Sequence, residues 1–326
     1  MGIYLNSKSP FGQFLDEADA TYFVDKSEML THLIPLTSCS GSYIGQAGGS
    51  IGKSNKYICI TRPRRFGKTI TACMIASFFG KGTDSGSVFE HLKISSHEKF
   101  HCHLNQHNVI YISFNELPQN CTDFHSYIGR IQKILKKDLK KEFPDVEMHE
   151  DDAVWDILNA VYETEDARFI FVLDEWDYIF HRDFVTNRDK SAFLEFLSNL
   201  LKGKAYVELA YMTGILPIAK YSSGSELNMF FEYTMATKEK YSDCFGFTDS
   251  EVDELYQRYL SVTPVPRITR EDLKYWYDGY QTVSGKRLYN PRSVFGALSD
   301  NQTGSYWTSS GPYDEIFTIS DRMWMR

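Results

Sequence analysis

Five short apolar runs, rich in β-branched and aromatic residues, recur through the first two thirds of the chain. They are "KYICI" (56–60), "NVIYISF" (108–114), "RFIFVLD" (168–174), "AYVELAYMTGI" (205–215) and "FFEYTMAT" (230–237). Runs of this length and composition predict buried strands. Longer stretches with helical periodicity lie between them: "ITACMIASFF" (70–79), "FHSYIGRIQKILKKDLKKEF" (124–143) and "KSAFLEFLSNLLKG" (190–203). In the second of these, the lysines lie opposite Ile131, Ile134 or Leu135, and Leu139, so they form a solvated face. Strands that alternate with helices imply βαβ units and a parallel sheet covered on both faces. Past residue 236 the pattern turns helical. Thr248-x-x-Glu251 is a capping box that predicts a helix start near Asp249. "ITREDLKYWYDGY" and "NPRSVFGALSD" predict two more helices, the latter opening at Asn290 or Pro291. The expectation is an α/β core over 1–236 and a small helical domain over 237–326.

Two stretches come close to the phosphate-binding pattern G-x-x-x-x-G-K-[ST]: "AGGSIGKS" (47–54) and "RPRRFGKT" (62–69). Such a loop needs a strand before it and a helix after it, so that backbone N–H groups and the helix N-terminus surround the phosphates. Only a Gly/Ser-rich stretch precedes the first, whose surroundings (38–55) read as an inserted surface loop. The second follows "KYICI" and leads into "ITACMIASFF". It has Arg62-Pro63 where the opening glycine would stand, yet keeps the residues that meet phosphate chemistry. Gly67 lets the main chain approach, Lys68 reaches the β/γ-phosphates, and Thr69 offers a hydroxyl to Mg²⁺. Arg64 and Arg65 add charge, and Phe66 and Ile70 complete the expected contact segment.

"RFIFVLDEWD" is an apolar run that ends in Asp174-Glu175. A buried parallel strand delivers such carboxylates to its C-terminal edge, where open α/β sheets bind ligands. Asp174 is then the expected Mg²⁺ ligand with Thr69, and Glu175 the group that orients or deprotonates the attacking water. Thr213 ends the run at 205–215. In P-loop ATPases of the additional-strand type, a polar residue at such a position senses the γ-phosphate, although Thr-Gly also commonly marks a turn.

These segments, with "YFVDKSEML" near the start, "YMTGILPIAKYS", "CFGFTDSEVDEL", "KYWYDGY" and "LYNPRSVFGAL", resemble the AAA-ATPase-like family in their order along the chain. That family is related to the STAND and AAA+ ATPases and is commonly joined to a PD-(D/E)XK nuclease-like domain. The resemblance runs from about Tyr22 to about Trp307, and it makes Arg62 the norm at its position. It implies ATP and Mg²⁺ as ligands, hydrolysis in a switch or motor, and a small helical lid. The alternative is an ATP-binding scaffold without turnover, or a fragment of a nuclease-linked protein, since the chain ends about where a nuclease domain would begin. By the same resemblance "YFVDKSEML" occupies the place of the box beside the adenine. Phe23 and Val24 would offer apolar surface there, and the backbone around Asp25 would read the base edge. The plainer reading is a helix start, with Asp25 or Ser27 as cap and Met29, Leu30 and Leu33 as its buried stripe.

Composition narrows the partners. A net charge of −8 over 326 residues supplies no general basic field for nucleic acid. A protein or nucleic-acid partner and a homo-oligomer stay open. No run approaches membrane-spanning length, and the start lacks a signal-peptide core, so a reducing cytoplasmic setting is expected. Six cysteines show no CxxC spacing, and Cys59 and Cys73 read as core thiols. "HCHLNQH" (101–107) has metal-binding residue types but no second ligand cluster nearby, so it reads as a polar stretch.

Overall fold

The apolar runs become a five-stranded, all-parallel sheet in the computed structural model, which describes residues 1–39, 55–222 and 224–306. The strands are β1 (Tyr57–Thr61), β2 (Asn108–Ser113), β3 (Phe169–Asp174), β4 (Val207–Gly214) and β5 (Phe231–Thr234). Their order is β2-β3-β4-β1-β5. β4 therefore lies between β1 and β3, pairing Thr213 with Ile60 and Met212 with Leu173. Every residue of β1, β3 and β4 is buried, which accounts for runs that are apolar throughout instead of alternating.

Helices cover the sheet. In chain order they are α1 (Ser9–Ala18), α2 (Met29–Leu33), α3 (Lys68–Phe79), α4 (Gly86–Phe89), α5 (Phe100–His103), α6 (Phe124–Glu142), α7 (Val154–Glu165) and α8 (Asn187–Leu201). α6 buries Ile131, Leu135 and Leu139 as its spacing predicts. It also buries Asp138, whose Oδ2 accepts the N–H groups of Tyr4 (2.7 Å) and Leu5 (3.2 Å). That contact, with a bridge from Leu5 to Ile110, lays the N-terminal segment along β2 and covers the sheet edge. α8 starts three residues earlier than its apolar pattern suggests, because Thr186 and Asp189 form a capping box. α7 was not anticipated. It buries Val154, Ile157, Leu158 and Val161 at helical spacing.

The chain forms two compact units. The first takes Met1–Arg62 and Lys68–Thr234, and the second takes Pro63–Gly67 and the chain from Met235 onward. The second unit holds α9 (Asp249–Val262), α10 (Arg270–Tyr277) and α11 (Pro291–Asp300). Thr248/Glu251 and Thr269/Asp272 close capping boxes, and Asn290 caps α11. α10 stops short of the predicted helix. Tyr280–Gln281 (β6) instead pairs antiparallel with Arg287–Leu288 (β7), around a turn in which Gly285 takes φ +83°. No described helix is long and apolar enough to cross a membrane.

Candidate nucleotide site

The loop after β1 explains its own departure from the common pattern. Arg62 is 1% exposed, and its Nη1 donates to the carbonyls of Thr61 and Tyr233, both at 2.8 Å. Its backbone N–H reaches the Gly214 carbonyl at 3.2 Å. Arg62 is thus a strand-end clamp across β1, β4 and β5, not a phosphate ligand. Its carbonyl accepts Lys68 Nζ at 3.0 Å. Gly67 takes φ +83°, a conformation that L side chains rarely adopt, so the close-approach position does require glycine. Lys68 opens α3, and the N–H groups and dipole of a helix N-terminus favour anions.

The remaining loop residues divide. Arg64 and Arg65 are exposed. Phe66 is buried within the second unit beside Met235 and Leu288, edge-on to Tyr280 at 4.6 Å. That makes the Phe66 side chain a packing anchor of the second unit. Ile70 is half-buried on the first turn of α3.

The ends of β3 and β4 meet at one hydrogen-bond junction. Asp174 is fully buried, and its Oδ1 accepts the Thr213 hydroxyl. The same Thr213 oxygen accepts the Glu175 N–H at 3.3 Å. Thr213 therefore orients both acids, and it lies in strand β4, not in a turn. The next residue must be small: a Cβ on Gly214 would come within 2.5 Å of Trp176 Nε1 and 2.9 Å of Asp177 Oδ1. Asp177, which sequence reasoning did not single out, accepts the N–H groups of Ile215 and Leu216, both at 2.9 Å. It holds the segment after β4 in place.

Electrostatics mark the pair of acids. Burial pushes the Asp174 carboxyl up, while the Thr213 and Thr69 hydroxyls and the Lys68 ammonium oppose the rise. Its Oδ2 is buried without a hydrogen-bond partner. A buried carboxylate oxygen left open beside a hydroxyl and an ammonium fits a hard cation with oxygen ligands. Burial, then the charge of Asp174, also raises Glu175, and a hydrogen bond with Asn115 resists it. Glu175 sits at φ 51°, a left-handed conformation that costs a non-glycine residue about 1–3 kcal/mol and clusters at functional sites.

The segment proposed for the adenine end lies apart from this junction in its bonding. Asp25 uses both carboxylate oxygens locally, accepting Ser27 N–H at 2.8 Å and Lys93 N–H at 2.7 Å. Val24 is half-buried, and Met29, Leu30 and Leu33 form the buried stripe of α2. The first loop candidate, at 47–54, and the rest of the Gly/Ser-rich insertion from 40 to 54 lie outside the described residues.

Comparison with known proteins agrees with the geometry. The family model described as predicted AAA-ATPase matches residues 46–223. No curated protein matches the chain. Among solved structures, the Aeropyrum pernix ORC2 protein (ADPNP–ADP complexes) is similar at 10% identity with a TM-score of 0.32, covering 63% of this chain. The match spans 45% of that chain, less than half its length, and a likeness at this level carries no argument.

Proposed function

Since the chain belongs to the AAA-ATPase-like family, we propose that it binds ATP with Mg²⁺ and hydrolyses the β–γ phosphoanhydride, as a switch or motor. The observation that carries this reading is Asp174. One carboxylate oxygen is fixed by Thr213 and the other is buried and open, with Thr69 and Lys68 acting on the same group. Thr69 and Asp174 would hold Mg²⁺, which supplies charge neutralisation on the phosphate oxygens. Lys68 and the N-terminus of α3 stabilise negative charge on the transferring phosphoryl group. Glu175, raised above the ordinary carboxylate range, takes or orients the proton of the attacking water. Thr213 keeps the two acids in register through their shared hydrogen bonds.

Phosphate release from ATP, measured with and without Mg²⁺, tests the proposal. Lys68→Ala should abolish binding or turnover. Glu175→Gln should keep Mg·ATP and lose hydrolysis. Wild-type protein that binds ATP but releases no phosphate under any condition would favour the scaffold alternative.

A further inference from the structure

Residues far apart in the sequence converge at the opposite end of the sheet. Cys39 and Cys102 are separated by 63 residues, with Cα atoms 5.5 Å apart and their sulfurs paired as a disulfide. One nitrogen of His103 joins them, and the three ligand atoms lie within 4.8 Å of one another. The His103 Nε2 to Cys39 Sγ distance is 3.6 Å. That is about the separation of two ligands placed tetrahedrally around one ion, with metal–sulfur near 2.3 Å and metal–nitrogen near 2.0–2.1 Å.

The neighbouring hydrogen bonds decide which way the imidazole lone pair points. Glu208 Oε2 lies 3.1 Å from His107 Nδ1, so that nitrogen carries the proton and His107 Nε2 accepts. His107 Nε2 is 3.0 Å from His103 Nδ1, which must then be the donor. Thr37 gives an independent answer. Its hydroxyl donates to the Ile34 carbonyl at 3.0 Å, so its contact with His103 Nδ1 at 3.3 Å is as acceptor. Both routes put the proton on Nδ1 and aim the Nε2 lone pair at the sulfurs. A disulfide has no proton to offer that lone pair, and His103 is only 1% exposed, away from bulk solvent. An ion between two thiolates and the imidazole would serve it.

We propose that Cys39, Cys102 and His103 form a Zn²⁺ site, distinct from the nucleotide site. His107 and Glu208 fix the ligand imidazole from behind, the carboxylate–histidine arrangement that orients metal ligands. Two thiolates and an imidazole select a borderline-soft ion, and the fourth position is open to water or an added ligand. From the disulfide state, a thiol reductant first supplies two electrons and two protons and is itself oxidised to a disulfide; each regenerated thiol then releases one proton as the ion binds. The site fastens Cys39 to the end of α5. Through Ser38 N–H, which donates to Glu208 Oε1 at 2.7 Å, it also reaches the start of β4.

The experiment uses the full chain purified with reductant and without chelator, followed by metal analysis and then Co²⁺ titration of chelator-treated protein. One zinc per chain, and a thiolate-to-cobalt charge-transfer band, are expected. The nucleotide site has no thiolate and cannot produce that band. Cys102→Ser should abolish it and Cys121→Ser should leave it unchanged. Should Cys102→Ser fail to fold, Glu208→Gln serves in its place: it keeps all three ligands and should weaken Co²⁺ binding about 10- to 100-fold. Absence of retained zinc together with absence of the band in reduced wild-type protein would overturn the proposal. So would a band that survives Cys102→Ser, or wild-type affinity in Glu208→Gln.

Discussion

Strand β4 carries a polar residue near each end, and the two ends are finished differently. Near its start, Glu208 satisfies both oxygens, one with Ser38 N–H and one with His107, in a chain of hydrogen bonds that continues to His103. At its far end, Thr213 binds Asp174 Oδ1, but Oδ2 is left buried and open, and Glu175 beside it is held at positive φ. A satisfied buried network stiffens a fold, whereas an orphaned oxygen and a strained residue cost stability and call for a function. The difference separates a fastening from the candidate nucleotide site within one strand.

The sharpest way to test this contrast is to remove a residue whose task is chemistry. Glu175→Gln should lower phosphate release by about 10²-fold or more while the thermal melt stays near wild type. A wild-type rate would assign water activation elsewhere.

The next largest effect should come from restoring the common loop pattern. Arg62→Gly removes a buried side chain bonded to the Thr61 and Tyr233 carbonyls. Hydrogen bonds from charged groups are worth about 1.5–3 kcal/mol each, partly offset here because removing the guanidinium relieves its burial, so denaturant unfolding should show a loss of roughly 2–4 kcal/mol. Unchanged stability would mean the clamp is dispensable.

Glu208→Gln should destabilise the first unit by about 1–3 kcal/mol, the cost of leaving buried partners imperfectly bonded. Burial alone would push the Glu208 carboxyl up, but the hydrogen bonds from His107 and the Ser38 N–H outweigh it and hold the group low. Its contribution is therefore present above the ordinary glutamate range and is lost as pH falls through the lowered value. The gap between wild type and variant should shrink on acidification. A gap that widens would contradict the assignment.

The smallest expected effect has the opposite sign. Burial raises the Asp174 carboxyl, so the folded state binds its proton more tightly than the unfolded chain does. Stability linked to that group is full below the ordinary aspartate range and falls as pH rises through the raised value. Asp174→Asn should therefore melt slightly higher than wild type at alkaline pH, with the advantage closing as pH falls through the raised Asp174 value. Its Mg²⁺ dependence should weaken at the same time.

The candidate nucleotide site was legible because its residues obey local rules: a strand, a loop, Lys68-Thr69, and an apolar run ending in Asp174-Glu175. The capping boxes at Thr248 and Asn290, and the buried stripe of α6, were readable for the same reason. Arg62 departs from the common loop pattern and only the family resemblance made it the norm; its clamp role was hidden because its partners, the Tyr233 and Gly214 carbonyls, lie on strands far along the chain. The packing role of the Phe66 side chain was not readable because Leu288 is likewise remote. The cysteine–histidine cluster escaped altogether. "HCHLNQH" lacked a second ligand group within any local window, and the fold supplies Cys39 from 63 residues upstream. α7 could have been found from the spacing of Val154, Ile157, Leu158 and Val161.

The strand order also sets a timetable for synthesis. β1 emerges early, but its parallel neighbour is β4, with Tyr57 paired to Ala210. The ribosome must add about 150 residues in between, which at 5–20 residues per second takes roughly 8 to 30 seconds. Throughout that interval the apolar segment Tyr57–Thr61 has neither of its partner strands, since β5 comes later still. A nascent chain holding an unpaired hydrophobic strand for so long is a natural client for chaperones.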